Sequence, residues 1–311
     1  MGQIINGEWV KKSIVTSDAK GEYNRIPRSF LDNISKDHPQ FQPESNRYHL
    51  YVSYACPWAH RTLLFRALKG LEKHITVDVV SPDMLDMGWT FETQFPGSTG
   101  DSLYGKKHLF EIYQKAQPDV TTSCTVPILW DKKTETIVNN ESSEIIRIFN
   151  NAFNDLTGNK ADYYPQALAQ EIDEINQEIY HKINNGVYRS GFAKNQKTYE
   201  RAVYDLFAAL DKIEERLKGK EYLVGDQLTE ADLRLLPTLL RFDAVYYSHF
   251  KCSRKRIKDY SELSRYLRQL GALPAVQSTT RIDHIKRHYF YSHEFLNPLR
   301  IVPVGPDELG F

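Results

Sequence analysis

The sequence predicts an α/β domain followed by an all-helical domain. Three observations carry that reading: a strand-like run, a helix and a second strand-like run succeed one another over 47–80; strand, strand and helix follow over 125–153; and beyond Tyr164 the apolar patterns have helical spacing.

The first strand, Tyr48 to Tyr54, is rich in β-branched and aromatic residues and leads to Cys56. Pro57 suits the first helical position, because its φ is already helical and the N–H it lacks would have no partner there. Leu64, Ala67, Leu68 and Leu71 recur at helical spacing, and Gly70 offers a stop. Cys56 therefore heads a helix whose first-turn N–H groups and dipole favour an anion, the setting in which thiols become nucleophilic thiolates. An inert buried cysteine is the plain alternative, since reactivity needs exposure as well as position. Ala59 stands where a Cys-x-x-Cys pair would carry its second thiol, so a partner thiol must come from another molecule.

His74 to Val80 alternates as the next strand, completing a parallel, right-handed βαβ unit. Ser81 to Ser123 is a long insertion with one helical stretch, Lys107 to Gln117. Its loop from Pro82 to Gly105, which carries Trp89 and Phe91, has a length more often functional than idle. Thr125 to Trp130 and Thr136 to Asn139 read as a hairpin about a polar turn, and a helix follows from Ser142 to Phe153.

Residues 1–46, polar and interrupted by Gly and Pro, read as an extension wrapped over a domain. The polar stretch from Asn154 to Tyr164 marks the domain boundary. Beyond it, Leu168, Ile172, Ile175, Ile179 and Ile183 form one core stripe, and Tyr199, Val203, Leu206, Leu210, Ile213 and Leu217 another. Thr229-Glu-Ala-Asp232 is a capping box, Leu228 can staple onto Leu233, and Pro237 is expected to kink the helix that follows. Further helices are expected near 261–270 and 281–292, with an irregular tail. The divisions expected are an N-terminal extension over 1–46, an α/β domain over 47–155, a helical domain over 165–292 and a tail over 293–311.

Composition narrows the function. Forty basic residues balance forty acidic ones in the 311-residue chain, so no global field argues for nucleic acid or an anionic membrane. The basic run from Lys251 to Lys258 reads as a charged loop. Three scattered cysteines point to a reducing compartment, there is no apolar signal core, and nothing approaches the ~20 apolar residues of a membrane span. The expectation is a cytoplasmic protein. His284 and His288 are spaced i, i+4, but no Glu follows His284 as in a zinc-protease helix; they read as a capped, solvated pair, and no metal is expected.

The order βαβ then ββα, with a cysteine heading the first helix, is that of a thioredoxin-like domain. In that arrangement the proline of Val126-Pro127 opens the third strand with a cis bond beside the cysteine, leaving the Val126 backbone to pair with a peptide-like ligand. At the start of the last helix, the Ser142 hydroxyl and nearby N–H groups can bind a carboxylate while Glu141 meets an ammonium, which together suit an α-amino acid head group. A plain helix cap is the alternative there. Cys124 is either near this site or a small buried hydrophobe. With 19 tyrosines in the chain, a packed tyrosine with a satisfied hydroxyl is the default; Tyr188, between Gly186 and Gly191, stands out.

The segments RYHLYVSYACPWAHRTLLFRALKGLE, GWTFETQFPGSTGD, TVPILWDKKTETIVNNESSEIIRIFN, NNGVYRSGFA, LTEADLRL, FDAVYYSHFKC and DHIKRHYFYSH carry a resemblance over nearly the whole chain. It resembles the Xi-class glutathione transferases, the glutathionyl-hydroquinone reductases. The resemblance implies a thioredoxin-like domain, an all-α glutathione-transferase C-terminal domain, glutathione bound between them beside Cys56, a homodimer, and no metal or flavin. It implies that Trp89 contacts glutathione, that Val126 pairs with its backbone in a segment including Ser123 and Thr125, and that Glu141 and Ser142 hold its γ-glutamyl end. Tyr188 would donate or accept the proton, while Tyr246 and Tyr289 would reach Cys56 and favour its thiolate. One position departs from the family pattern: Ser123 stands where an arginine is expected. The implied reaction is glutathione-dependent reduction of glutathionyl-hydroquinones through a Cys56–glutathione mixed disulfide. The alternatives are an omega-like thiol transferase or dehydroascorbate reductase, and a non-catalytic binding module of the same fold.

Overall fold

The computed structural model describes residues 2–11, 16–17, 21, 23–24 and 28–306; what was expected of the rest of the N-terminal extension and of the end of the tail lies outside them. In chain order the elements are β1 (Gln3–Ile5), β2 (Glu8–Val10), β3 (Thr16–Ser17), β4 (Tyr23–Asn24), β5 (Tyr48–Val52), α1 (Pro57–Leu68), β6 (Ile75–Val79), α2 (Phe110–Ala116), β7 (Thr122–Ser123), β8 (Ile128–Asp131), β9 (Thr136–Asn139), α3 (Ser142–Asn151) and α4 (Asn154–Thr157). The helical elements then continue with α5 (Ala169–Glu178), α6 (Gly186–Gly191), α7 (Gln196–Arg216), α8 (Glu230–Arg241), α9 (Glu262–Gly271), α10 (Pro274–Thr279) and α11 (Ile282–Ser292). Two compact units result: Met1–Ile14 with Ile26–Ala161, and Val15–Arg25 with Asp162–Phe311.

The first unit is built on a four-stranded sheet of order β6-β5-β8-β9, in which β5 runs parallel to β6 and antiparallel to β8. All five residues of β5 are buried, as a central strand covered on both faces requires. At the start of β5, Arg47 donates from Nε and Nη2 to the two carboxylate oxygens of Asp131, at 2.8 and 2.7 Å, and both side chains are buried. Burial pushes the Asp131 carboxyl up, but the Arg47 guanidinium together with Thr134 and the Lys133 N–H outweighs it and holds the group below the ordinary carboxylate range.

Two differences from expectation have physical causes. The strand expected to open at Thr125 begins at Ile128, since Pro127 has no N–H to give to a ladder, and it runs on to Asp131. Residues 3–10 form a hairpin about Asn6-Gly7, both at positive φ, and its first strand pairs with β7 through Gln3↔Ser123 and Ile4↔Thr122. Trp9 stacks on Phe110 with ring centroids 4.7 Å apart, and a Cβ at Gly88 would lie 2.7 Å from the Trp9 ring. Glycine at 88 therefore lets the hairpin close on the long insertion.

In the second unit, α5 passes into π-helical turns over Ile179–Asn184, and α8 continues through Pro237 before π-helical turns over Phe242–Tyr246. Two helices that the apolar spacing did not mark individually, α6 and α10, complete the helical run. The solvated histidine pair is a correction: His284 and His288 are both buried. Buried positions occur all round α11, Lys286 included, so the i, i+4 spacing does not mark a solvent face. Among the described residues no grouping of His, Cys, Asp and Glu suits a metal ion, and no helix is long and apolar enough to cross a membrane.

The capping box at the start of α8 holds more than its own helix. Asp232 accepts from the Thr229 N–H at 2.8 Å and hydroxyl at 3.0 Å, and also from the Leu223 N–H at 2.9 Å and the Tyr266 hydroxyl at 2.7 Å. It thereby ties α8 to the preceding loop and to α9. Asp232→Ala leaves these donors buried without an acceptor and is expected to destabilise the protein by at least about 3 kcal/mol in denaturant unfolding. A loss below about 1 kcal/mol would show that water replaces the carboxylate.

Candidate active site

The sheet register assembles one end of the first unit. Tyr51 faces Ile128 and Leu129 faces Asn139, so the exits of β5 and β9 lie beside the entrance to β8. The parallel partner β6 exits at the same end, with Val52 opposite Val79. Cys56, Val126, Glu141 and the long insertion therefore start from neighbouring strand ends.

Cys56 occupies the N-cap of α1 in extended conformation, with Pro57 at the first position. Its N–H donates to the Ser53 carbonyl at 3.2 Å, and its own carbonyl accepts the His60 N–H at 3.0 Å. The thiol is partly exposed, and Sγ lies 3.7 Å from the Val126 carbonyl oxygen. Cys124 and Cys252 are buried; burial pushes the Cys124 thiol well above its ordinary range and that of Cys252 up to about 12. Both are held as neutral, inaccessible thiols, which leaves Cys56 as the one cysteine with the exposure a nucleophile needs.

The peptide bond between Val126 and Pro127 is cis, and among the described residues the Val126 N–H makes no hydrogen bond. The segment before it is held by Tyr113, whose hydroxyl donates to the Thr125 carbonyl at 2.8 Å and accepts from Asn140 Nδ2 at 3.2 Å. Burial raises the Tyr113 hydroxyl above its ordinary range, so it remains a proton donor. Ser123 belongs to the β7 ladder, and neither its buried hydroxyl nor that of Thr125 has a partner among the described residues.

Glu141 caps α3. Its Oε1 accepts from the Ser143 N–H and hydroxyl, each at 3.0 Å, and from the Ser142 hydroxyl at 3.3 Å, while Oε2 makes no hydrogen bond among the described residues. Burial pushes this carboxyl up, but the Ser143 N–H, the Arg28 guanidinium, the Ser143 hydroxyl and Arg61 prevail and hold it below the ordinary carboxylate range. The helix-cap reading is met by Oε1 alone, and Oε2 keeps no hydrogen bond among the described residues.

Trp89 is 6% exposed in the insertion, which is laced to the sheet by backbone bonds and two carboxylates. Ser81 N–H donates to the Thr90 carbonyl at 2.8 Å, and Leu109 N–H donates to the Trp89 carbonyl at 2.9 Å. Asp78 takes the Ser102 N–H and hydroxyl at 2.6 and 2.8 Å, while Asp101 takes the Lys106 N–H at 2.9 Å and the Tyr51 hydroxyl at 3.0 Å. Sequence reasoning did not single out Asp78, Asp101, Tyr113 or Arg28, because each acts through partners distant in the chain.

The three tyrosines belong to the second unit and form one chain of hydroxyls. Tyr289 Oη lies 2.6 Å from Tyr188 Oη and 3.0 Å from Tyr246 Oη. Tyr246 and Tyr289 are buried, and Tyr188 is partly exposed. Burial, then the neighbouring Tyr188 and Tyr246, raises Tyr289 well above the ordinary phenol range, which keeps it protonated. Such a row can pass a proton toward its exposed member. Phe192 and Phe250 pack on Tyr188, with ring centroids at 5.8 and 5.4 Å.

Close by in the same unit, His249 Nε2 and His293 Nδ1 lie 3.2 Å apart, and burial lowers His249 to about 4. The unfolded chain binds protons near pH 6.5, so the stability from a neutral His249 is complete above that pH and is lost as pH falls toward 4, by up to roughly 3 kcal/mol. Unfolding free energy measured from pH 6.5 to 4 is expected to fall less steeply in His249→Gln, by about 1.4 kcal/mol per pH unit at most. Equal slopes would contradict the neutral pair.

The two glutathione S-transferase family models match this chain, the N-terminal domain over residues 55–152 and the C-terminal domain over 196–269. The glutathionyl-hydroquinone reductase YqjG of Escherichia coli is 49% identical over 313 residues, covering 98% of this chain and 95% of its own. The crystal structure of the glutathione S-transferase Xi from Phanerochaete chrysosporium is similar with a TM-score of 0.92 and 52% identity, over 94% of this chain and 95% of that one. The glutathione-bound structure of YqjG is similar with a TM-score of 0.90 and 47% identity, over 100% of this chain and 97% of that one. With a cysteine-headed helix in a thioredoxin-like unit and a helical C-terminal domain after it, the chain belongs to the Xi-class glutathione transferases, the family of the glutathionyl-hydroquinone reductases.

Proposed function

We propose that this protein reduces glutathionyl-hydroquinones to hydroquinones, with glutathione as co-substrate and Cys56 as nucleophile. The observation that carries the reading is the single partly exposed thiol, set at the head of α1 and 3.7 Å from the Val126 carbonyl, in a chain 49% identical to a named reductase.

The Cys56 thiolate attacks the glutathionyl sulfur of the conjugate. A sulfur–sulfur bond forms, the carbon–sulfur bond breaks, and its electron pair goes to the ring carbon, which takes a proton. Tyr188, with Tyr246 and Tyr289 behind it, supplies that proton. A second glutathione, as thiolate, attacks the mixed disulfide, leaving as oxidised glutathione and restoring Cys56. Trp89, Ser123, Thr125 and Val126 line the peptide, Val126 pairing its N–H and carbonyl with the cysteinyl backbone. Glu141 and Ser142 take the γ-glutamyl end. The family likeness supports a homodimer, and three unpaired cysteines support a reducing, cytoplasmic setting.

The test is turnover of glutathionyl-menadiol with glutathione. Cys56→Ser is expected to lose at least about a hundredfold in kcat while still binding glutathione, since a serine hydroxyl is a far weaker nucleophile at neutral pH. Retained activity in Cys56→Ser would assign the chemistry to another group. Dehydroascorbate reduced faster than the conjugate by the unmodified protein would favour the omega-like reading instead.

A further inference from the structure

Residues 28–32 run beside the elements that carry the proposed glutathione contacts. Ser29 Oγ lies 2.8 Å from Thr122 Oγ1, Phe30 donates its N–H to Asn140 Oδ1 at 3.3 Å, and the Phe30 carbonyl accepts the Asn140 N–H at 3.0 Å. The Asp32 N–H donates to the Val138 carbonyl at 3.0 Å, and the Phe30 ring packs 6.1 Å from that of Tyr113. Thr122 precedes Ser123, Asn140 precedes Glu141, and Tyr113 holds Thr125. The strap is thus fixed at three points to the segments that would grip the ligand, and Arg28 stands at its head.

Two guanidinium groups act on the Glu141 carboxylate, those of Arg28 and Arg61. Arg61 is 2% exposed and lies over the Trp58 ring at 4.5 Å. Arg28 is partly exposed, so a ligand can reach it, and among the described residues it makes no ion pair. Arg28 thus stands within electrostatic reach of Glu141, at the head of a strap hydrogen-bonded to the residue before it, without pairing with it among the described residues. A ligand that meets both groups carries an ammonium for the carboxylate and a carboxylate for the guanidinium. Glu141 Oε2 is open to the ammonium, and Ser123, the neutral residue of the adjoining strand, supplies no charge for the carboxylate.

We propose that Arg28 is a glutathione-binding residue: its guanidinium pairs with the α-carboxylate of the γ-glutamyl end while Glu141 Oε2 takes the ammonium. The inference rests on the glutathione site proposed above and adds to it the cation that Ser123 does not provide. It makes the N-terminal segment part of the binding site.

The test is calorimetric titration of the full chain with S-methylglutathione and with the analogue whose γ-glutamyl residue is replaced by 4-aminobutanoyl, which lacks only the α-carboxylate. The unmodified protein is expected to bind the analogue about tenfold or more weakly. Arg28→Gln is expected to bind S-methylglutathione weakly by the same factor and to lose nothing further with the analogue; Arg28→Lys falls between. Among the described residues Arg28 is in no ion pair, so thermal unfolding midpoints are expected to match, and the lysine variant carries the same comparison should glutamine disturb the fold. Unchanged affinity in Arg28→Gln, or a full further loss with the analogue, overturns the assignment alone. Failure of the unmodified protein to bind S-methylglutathione overturns this assignment together with the glutathione site.

Discussion

The register between β5 and β8 is the constraint on which the first unit depends. Side chains alternate faces along a strand, so a slip of one residue would carry every side chain of β5 to the opposite face of the sheet and move Cys56 away from Val126. The register is set at the far end by the buried pair of Arg47 and Asp131, whose two parallel hydrogen bonds admit one alignment. Such a pair is weak evidence for net stability, because desolvation offsets much of the attraction, but it penalises misalignment heavily by stranding a buried charge. The placement of Cys56 beside Val126 at one end of the sheet thus depends on an ion pair at the other.

A second dependence runs through carboxylates that order the insertion. A loop of that length carries many backbone N–H groups, and Asp78 and Asp101 gather several of them where no strand or helix does. Asp78 sits on β6 and Asp101 in the loop, bonded to Tyr51 of β5, so the loop is tied to the same strands that place Cys56. Trp89 is thereby positioned by the sheet.

What was legible in the sequence was local. Pro57 after Cys56, the helical spacing of Leu64, Leu68 and Leu71, and the Thr229–Asp232 box each state their structure within one or two turns of chain, and α1 and α8 follow them. The cysteine, the proline after Val126 and the Glu141-Ser142 pair were legible for the same reason. The rest depends on meetings that no short window contains. Asn6-Gly7 is a hairpin signal, yet the partner of that hairpin, β7, lies more than a hundred residues on. The buried histidines of α11 follow a spacing that fits a solvent face equally well. Arg28 lies in a polar stretch with no periodicity, and its meaning comes from Glu141.

In the proposed reaction one thiol carries the chemistry, and only an outside thiol releases it. Intact-mass and peptide measurement after a single turnover of glutathionyl-menadiol, with no free glutathione, addresses it directly. One glutathionyl group is expected, located on Cys56 and removed by added glutathione. An internal disulfide from Cys56 to Cys124 or Cys252, or hydroquinone released with Cys56 unmodified, would contradict it.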